Sequence, residues 1–364
     1  MKIFLDNIIF DKVKNGGVSN YWFELIKYLE NTAAEVHYLE SKKPIQNFHR
    51  KQLKLTDDKI IYVKDHFLSR MMPVNYSSKE KFIYHSSYYR SLTGSNNALQ
   101  ITTVYDFIHS YYAGLLNKTL HNYLKFDAIK KAHGIVCISH NTYNDLNKFY
   151  TLKNEQKATV IHVGVSDDYF PLKEYTLKEQ QFIADKKLAD DFILFVGGRT
   201  GYKNFNFVVS VLNDNPILKL VIVGGGEITE AEKKLFSNDA LMRVTHLKTV
   251  ENFELNVLFN LAKALVYPSS YEGFGIPVVE AMRAGCPVIG LNNATIREVA
   301  ENSAILLEKL NVDEFFKKFA LLQNKNFKNE KIEIGFNEAK KYSWHKCSQE
   351  TFAFYEEVFG SSYS

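Results

Sequence analysis

Residues 264–290, ALVYPSSYEGFGIPVVEAMRAGCPVIG, limit the folds open to this chain more than any other stretch. Residues 264–268 are a short apolar run suited to a buried strand, and residues 269–275 form a polar turn bearing two glycines. The spacing predicts a helix next. Pro277 fits a first turn because no amide is needed there, Val278, Val279 and Met282 can face a core, and Gly285 stands where a left-handed cap ends a helix. Residues 286–291 read as the following buried strand. Strand, loop, helix, strand is the repeating unit of a parallel α/β sheet.

This unit has a chemical consequence. A helix N-terminus presents unpaired amides and a partial positive charge, and Gly273 and Gly275 let backbone approach a ligand closely, so an anion is expected beside Phe274 and Gly275. Glu272 and Glu280 flank that position in an E-x7-E spacing. Carboxylates do not grip a phosphate; they accept hydrogen bonds from hydroxyls on either side of it, such as a ribose and a sugar. The plainer alternative is a solvated glutamate and a routine loop.

The E-x7-E stretch resembles the signature of glycosyltransferase family 4, retaining enzymes that use nucleotide-sugar donors. The resemblance extends to FILFVGGRTGYKNF (192–205), VIVGGG (221–226), residues 256–264 and NNATIREVAENSAILL (292–307). It covers the N-terminal half more loosely, through NGGVSNYWFELIKYL, ITTVYDFIH and GIVCISHNTYNDL. The family implies an α/β GT-B architecture of two doubly wound Rossmann-like domains with the site in the cleft between them. The expected domains are residues 1–168 on the acceptor side, with a C-terminal helix at 346–364 packing back on them, and residues 169–345 on the nucleotide-sugar side.

A chain of 364 residues is too long for one ordinary core, which agrees with two domains. Its net charge of +4 is scattered in pairs such as Lys42-Lys43 and Lys130-Lys131, without the basic block of a nucleic-acid arm, so no nucleic-acid partner is expected. No apolar run reaches membrane-spanning length, and residues 2–10 read as a first strand rather than a signal peptide. Cys137, Cys286 and Cys347 lie far apart and read as reduced core residues, not as a disulfide or metal set. The expected location is cytoplasmic. The resemblance leaves peripheral association with the inner membrane face open, since family members often glycosylate lipid-linked acceptors.

In the first half, residues 18–30 keep helical spacing after the double glycine Gly16-Gly17, which falls between a first strand and its helix, where open parallel sheets place ligand loops. Further strands are expected at 35–39, 60–63, 81–85, 100–105, 134–138 and 158–162, with Ser139 capping a helix. Residues 42–78 read as a mobile or family-variable segment. Two polar clusters fall at strand ends: HSSYYR (85–90), with His85 and Tyr88, and DFIHSYY (106–112), with His109. Both are rich in groups that hydrogen-bond or stack on sugars, and packing is the alternative for each. The family usually carries a His-Asp pair where this chain has Tyr105-Asp106; the resemblance makes Asp106 the group that contacts the reacting sugar.

In the second half, residues 166–191 read as an interdomain crossing. Strands are expected at 192–196, 219–223 and 244–247. The loop after the first of these delivers Arg199 and Lys203, two cations four residues apart beside a glycine turn, which suits a diphosphate and could replace a metal at a departing group. A solvated basic loop is the alternative. Glu298, in a helix expected from Thr295, is a further contact facing the same site.

The resemblance thus implies a metal-independent retaining hexosyltransferase with no cofactor. It would move a hexose from a nucleoside diphosphate sugar, GDP-mannose by likeness of the GYKNF stretch to mannosyltransferase-like members of polysaccharide and O-antigen synthesis, to a glycan or lipid-linked acceptor. Asp106, Arg199, Lys203 and Glu272 would be catalytic. Gly16, Gly17, Gly273, Phe274, Gly275 and Glu280 would join Arg199, Lys203 and Glu272 in donor binding, and His85, Tyr88 and His109 would serve the acceptor. A UDP-sugar enzyme, a phosphorylase or epimerase on the same architecture, and a non-catalytic carbohydrate-binding scaffold are the alternatives.

Overall fold

Two parallel sheets organise the computed structural model of the protein, which describes residues 1–63, 71–112, 114–188 and 191–361, with the side chains of residues 115–118 left aside. The chain leaves the first unit between Gly164 and Val165 and returns to it between Tyr342 and Ser343. These crossings fall a few residues before the boundaries expected at 168 and 345.

The first unit is built on strands β1 (Lys2–Asp6), β2 (Glu35–Glu40), β3 (Ile60–Tyr62), β5 (Phe82–Ser86), β7 (Ala98–Val104), β8 (Gly134–Cys137) and β9 (Lys157–Val160), in the order β3-β2-β1-β5-β7-β8-β9. Every pairing is parallel. Helices cover such a sheet on both faces, so its strands read as near-continuous apolar runs: Ile3, Leu5, Ile83, Ile101, Ile135 and Val136 are all buried. Strands β4 (Val74–Asn75) and β6 (Leu92–Thr93) form a separate two-stranded sheet that no sequence pattern announces.

The strand expected over 2–10 stops at Asp6, and Ile8–Lys12 is a short helix. The reason is polar. Asp6 is fully buried against Arg90, with Nη2 to Oδ1 at 2.5 Å, and the side chain of Asn7 bridges Glu40 and Trp22, so the backbone turns there while Ile8, Ile9 and Phe10 stay in the core. The segment read as mobile carries a helix (Phe48–Gln52), β3 and β4; its residues 64–70 lie outside the described ones. It also braces the glycine loop, because Asn47 Nδ2 donates to Val13 O at 2.8 Å.

The last helix, Trp344–Ser361, packs on the Gly17–Leu29 helix and on β5, β7 and β8, all within the first unit; residues 362–364 of the expected helix lie outside the described ones. Its start runs against Gly164, where an added Cβ would lie 2.2 Å from the Trp344 amide nitrogen.

The second unit has β10 (Phe192–Val196), β11 (Lys219–Val223), β12 (Val244–Leu247), β13 (Ala264–Tyr267), β14 (Val288–Leu291) and β15 (Ile305–Leu307), ordered β12-β11-β10-β13-β14-β15. All are parallel. Ile193, Phe195, Val208, Leu220, Val266 and Phe315 belong to one buried cluster joining the sheet to its helices. The crossing expected at 166–191 includes a helix, Leu177–Asp185, closed at its start by a Thr176–Glu179 capping box; residues 189–190 lie outside the described ones.

All three cysteines are free and buried, and burial pushes their thiols up to about 12. Among the described residues, no helix is long and apolar enough to cross a membrane. The molecule is α/β, with two Rossmann-like domains built on parallel sheets.

Candidate active site

The loop after β13 is built as its sequence demands. Gly275 caps the Ile276–Arg283 helix at φ 90°, a left-handed conformation that side chains resist, and Pro277 sits in the first turn. The preceding residues are stitched to the Gly201–Lys203 turn: Ser270 N donates to Tyr202 O at 2.7 Å, and Asn204 Nδ2 donates to Pro268 O at 2.8 Å and to Ser270 Oγ at 2.7 Å. Asn293, cap of the Ala294–Ala300 helix, donates to Ser269 O at 2.7 Å, and Thr295 Oγ1 donates to Glu272 O at 2.7 Å. Loops at the ends of β10, β13 and β14 thereby become one piece.

That piece brings Lys203 and Glu272 together. The Lys203 ammonium donates to Glu272 Oε1 and lies 3.4 Å from the Tyr267 hydroxyl, which is itself hydrogen-bonded to the Glu272 carboxylate. Phe274 is buried, stacked edge-on against Tyr342 at 5.1 Å. Its expected contribution is through the backbone, and its ring is part of the core.

Glu280 is part-buried as a residue, but its carboxyl group sits deep enough that burial raises it to about 7, against a lowering contribution from its hydrogen bond with Tyr169. Tyr169, whose hydroxyl also lies 3.5 Å from Asn252 Oδ1, is a residue that sequence reading missed; nothing in SDDYF marks it.

Arg199 is anchored by the protein around it. Its side chain is 3% exposed, and all three guanidinium nitrogens donate to protein: Nε to Glu232 Oε1 at 2.7 Å, Nη1 to Gly224 O at 3.1 Å, and Nη2 to Glu227 O at 2.6 Å. It holds Glu232 down to about 2, and it braces the turn in which Gly224, Gly225 and Gly226 all have positive φ. A guanidinium has five N–H donors, so these bonds fix its position and leave a donor on Nη1 for a further acceptor. Glu298, the further contact expected in the Ala294–Ala300 helix, accepts through its backbone carbonyl from the Tyr342 hydroxyl at 3.4 Å.

In the first unit, Gly16 precedes and Gly17 begins the Gly17–Leu29 helix. Ser19 Oγ donates to Gly16 O at 2.9 Å and lies 3.1 Å from His49 Nδ1; since the hydroxyl proton is spent on a carbonyl, Nδ1 carries the hydrogen of that contact. Asp106 is part-buried at the end of β7, and its Oδ1 accepts from Ile108 N at 2.9 Å, opening the Ile108–Tyr112 helix.

The expected acceptor residues divide. His85 is fully buried, with Nδ1 at 2.5 Å from the Tyr355 hydroxyl and Nε2 at 3.0 Å from Thr103 Oγ1, and burial pushes it down to about 3. It is a neutral core histidine with both nitrogens occupied, which corrects its assignment to an acceptor. Tyr88 and His109 are part-buried and meet at His121: the Tyr88 hydroxyl lies 2.9 Å from His121 Nε2, and the His109 and His121 rings stack at 3.7 Å. Tyr105 is buried and packs edge-on against Tyr21 at 5.7 Å.

Residues 177–337 match the family model of glycosyl transferases group 1. O-antigen chain mannosyltransferase RfbU of Salmonella typhimurium is 28% identical over 210 residues, covering 57% of this chain and 56% of the relative, so the chain spans little more than half that protein's length. Among solved structures, the sucrose-phosphate synthase from Thermosynechococcus elongatus superposes with a TM-score of 0.75 at 15% identity, covering 99% of each chain. Anabaena HepE in complex with UDP-glucose gives a TM-score of 0.71 at 14% identity over 99% of this chain and 100% of that one. At such identities the likeness speaks for the fold, which is GT-B. Residues 177–337, which carry the Lys203–Glu272 pair and the loop-capped helix of Glu280, are the part of the chain that resembles glycosyl transferases group 1.

Proposed function

We propose that the protein is a retaining, metal-independent glycosyltransferase that moves a hexose from a nucleoside diphosphate sugar, GDP-mannose first, to a glycan or lipid-linked acceptor of a surface polysaccharide. The joined loops around Lys203, Glu272 and Glu280 carry this reading, in agreement with the family match over the same residues. The mannosyl donor rests on the O-antigen mannosyltransferase relative.

In this reading, the Phe274 and Gly275 amides and Lys203 receive the departing diphosphate, at a helix start where negative charge is favoured. Glu280 accepts hydrogen bonds from the ribose, Glu272 and Asp106 hold sugar hydroxyls, and Arg199, braced on the Gly224–Gly226 turn, adds its charge to that of Lys203 at the diphosphate. The anomeric carbon–oxygen bond to the diphosphate breaks while the acceptor oxygen bonds the same face, and the acceptor proton passes to the leaving phosphate oxygen. No protein base is needed for that route.

A UDP-sugar is the second reading, favoured by the HepE structure with UDP-glucose. Thermal unfolding of the purified protein with GDP, UDP, ADP, TDP and CMP tests both, because a nucleotide that binds the folded state raises the melting temperature. A shift with GDP alone, lost in Lys203→Ala, supports the mannosyl donor; a shift with UDP alone replaces it. No shift with any nucleotide turns the reading to a non-catalytic scaffold.

A further inference from the structure

The Leu115–Lys131 helix buries Lys125 completely, which is rare for lysine because taking an ammonium out of water is costly. What surrounds the ammonium is specific. Nζ donates to Asp106 O at 2.5 Å, lies 4.5 Å from the centre of the Phe107 ring and 5.6 Å from that of Tyr89. Burial lowers Lys125 to about 8, while the charges of Asp106 and Asp145 oppose that lowering. Phe107 is held on its other contacts by Phe149, stacked at 5.3 Å.

An apolar side chain of similar length would spare the ammonium its desolvation cost but leave the Asp106 carbonyl without this donor, so what the lysine adds here is that one bond. Its one hydrogen bond goes to the main chain of the residue whose carboxylate is assigned to the reacting sugar. Asp106 is thereby pinned twice, at its carbonyl by Lys125 and at Oδ1 by the Ile108 amide. We infer that Lys125 is a positioning residue for Asp106, fixing the backbone at the end of β7 so that the carboxylate is held for hydroxyls of the transferred sugar. The inference rests on the proposed glycosyl transfer for its purpose, but the pinning itself is independent of it.

The test compares full-length wild type, Lys125→Met and Lys125→Arg in three measurements: melting temperature, amide hydrogen exchange over residues 104–112, and steady-state donor turnover. For Lys125→Met the expected result is a melting temperature within a few degrees of wild type, faster exchange confined to 104–112, and kcat lowered about 10- to 100-fold with donor KM within about twofold, the signature of misplacement rather than lost binding. Lys125→Arg, which keeps charge and donor, should recover most of both. Wild-type exchange and wild-type kcat in Lys125→Met would overturn the inference, as would a lowered melting temperature with kcat unchanged. If wild type turns over no nucleotide sugar, the functional reading fails and exchange alone decides the pinning. Should Lys125→Met not fold, Lys125→Gln supplies the same comparison.

Discussion

The Lys203 ammonium and the Glu272 carboxylate form an ion pair with side chains only 13% and 10% exposed, at the meeting of two loops from different strands. Such a pair adds little net stability, but breaking it strands the partner. Lys203→Met should therefore cost about 3 kcal/mol in a urea titration and abolish nucleotide-induced thermal shifts. Retention of a full shift would remove Lys203 from the diphosphate site.

Glu280 yields a pH dependence with a definite sign. Its folded pKa, about 7, lies above the usual carboxylate value, so between about pH 4.5 and 7 the folded state binds more protons than the unfolded one, and stability contributed by this group falls as pH rises through that window. Glu280→Gln should raise stability at pH 8 by about 1–3 kcal/mol, leave it near wild type at pH 4.5, and weaken nucleotide binding. Unfolding curves at the two pH values check the sign.

Tyr105 stands where the resembled family is expected to carry a histidine, and its ring is embedded against Tyr21. Restoring histidine by Tyr105→His should cost about 1–3 kcal/mol through lost packing and raise no activity. A gain in kcat would show that the histidine role is missing rather than displaced.

Gly164 touches the first turn of the last helix so closely that Gly164→Ala forces backbone apart. The expected loss is about 3 kcal/mol, read by calorimetry as an earlier transition of the first unit alone. A variant melting like wild type would mean that this junction yields easily.

The second unit was legible because its chemistry is local: a cap, a proline, a left-handed glycine and a carboxylate one turn on lie within a dozen residues. Roles that depend on distant partners were not. His85 read as a polar residue at a strand end facing an acceptor, yet Thr103 on a neighbouring strand and Tyr355 in the last helix absorb its nitrogens. Arg199 looked free beside Lys203, yet Glu232 and a glycine turn claim it. Lys125 drew no notice because a lysine in a helix ordinarily faces water, and only the fold closes Phe107 and Tyr89 around it. The β4–β6 pairing was invisible for another reason: two-residue strands have no period to read.

The return of the chain to its first unit has a consequence for synthesis. On the ribosome, the sheet of residues 1–164 emerges well before the helix that covers it, since the whole second unit is translated in between. Until Tyr355 and Val358 arrive, the surfaces of β5, β7 and β8 that they cover stay open to water and to other nascent chains. The first unit to be made is therefore the last to mature, and protease susceptibility of chains stalled at residue 342 would display that delay directly.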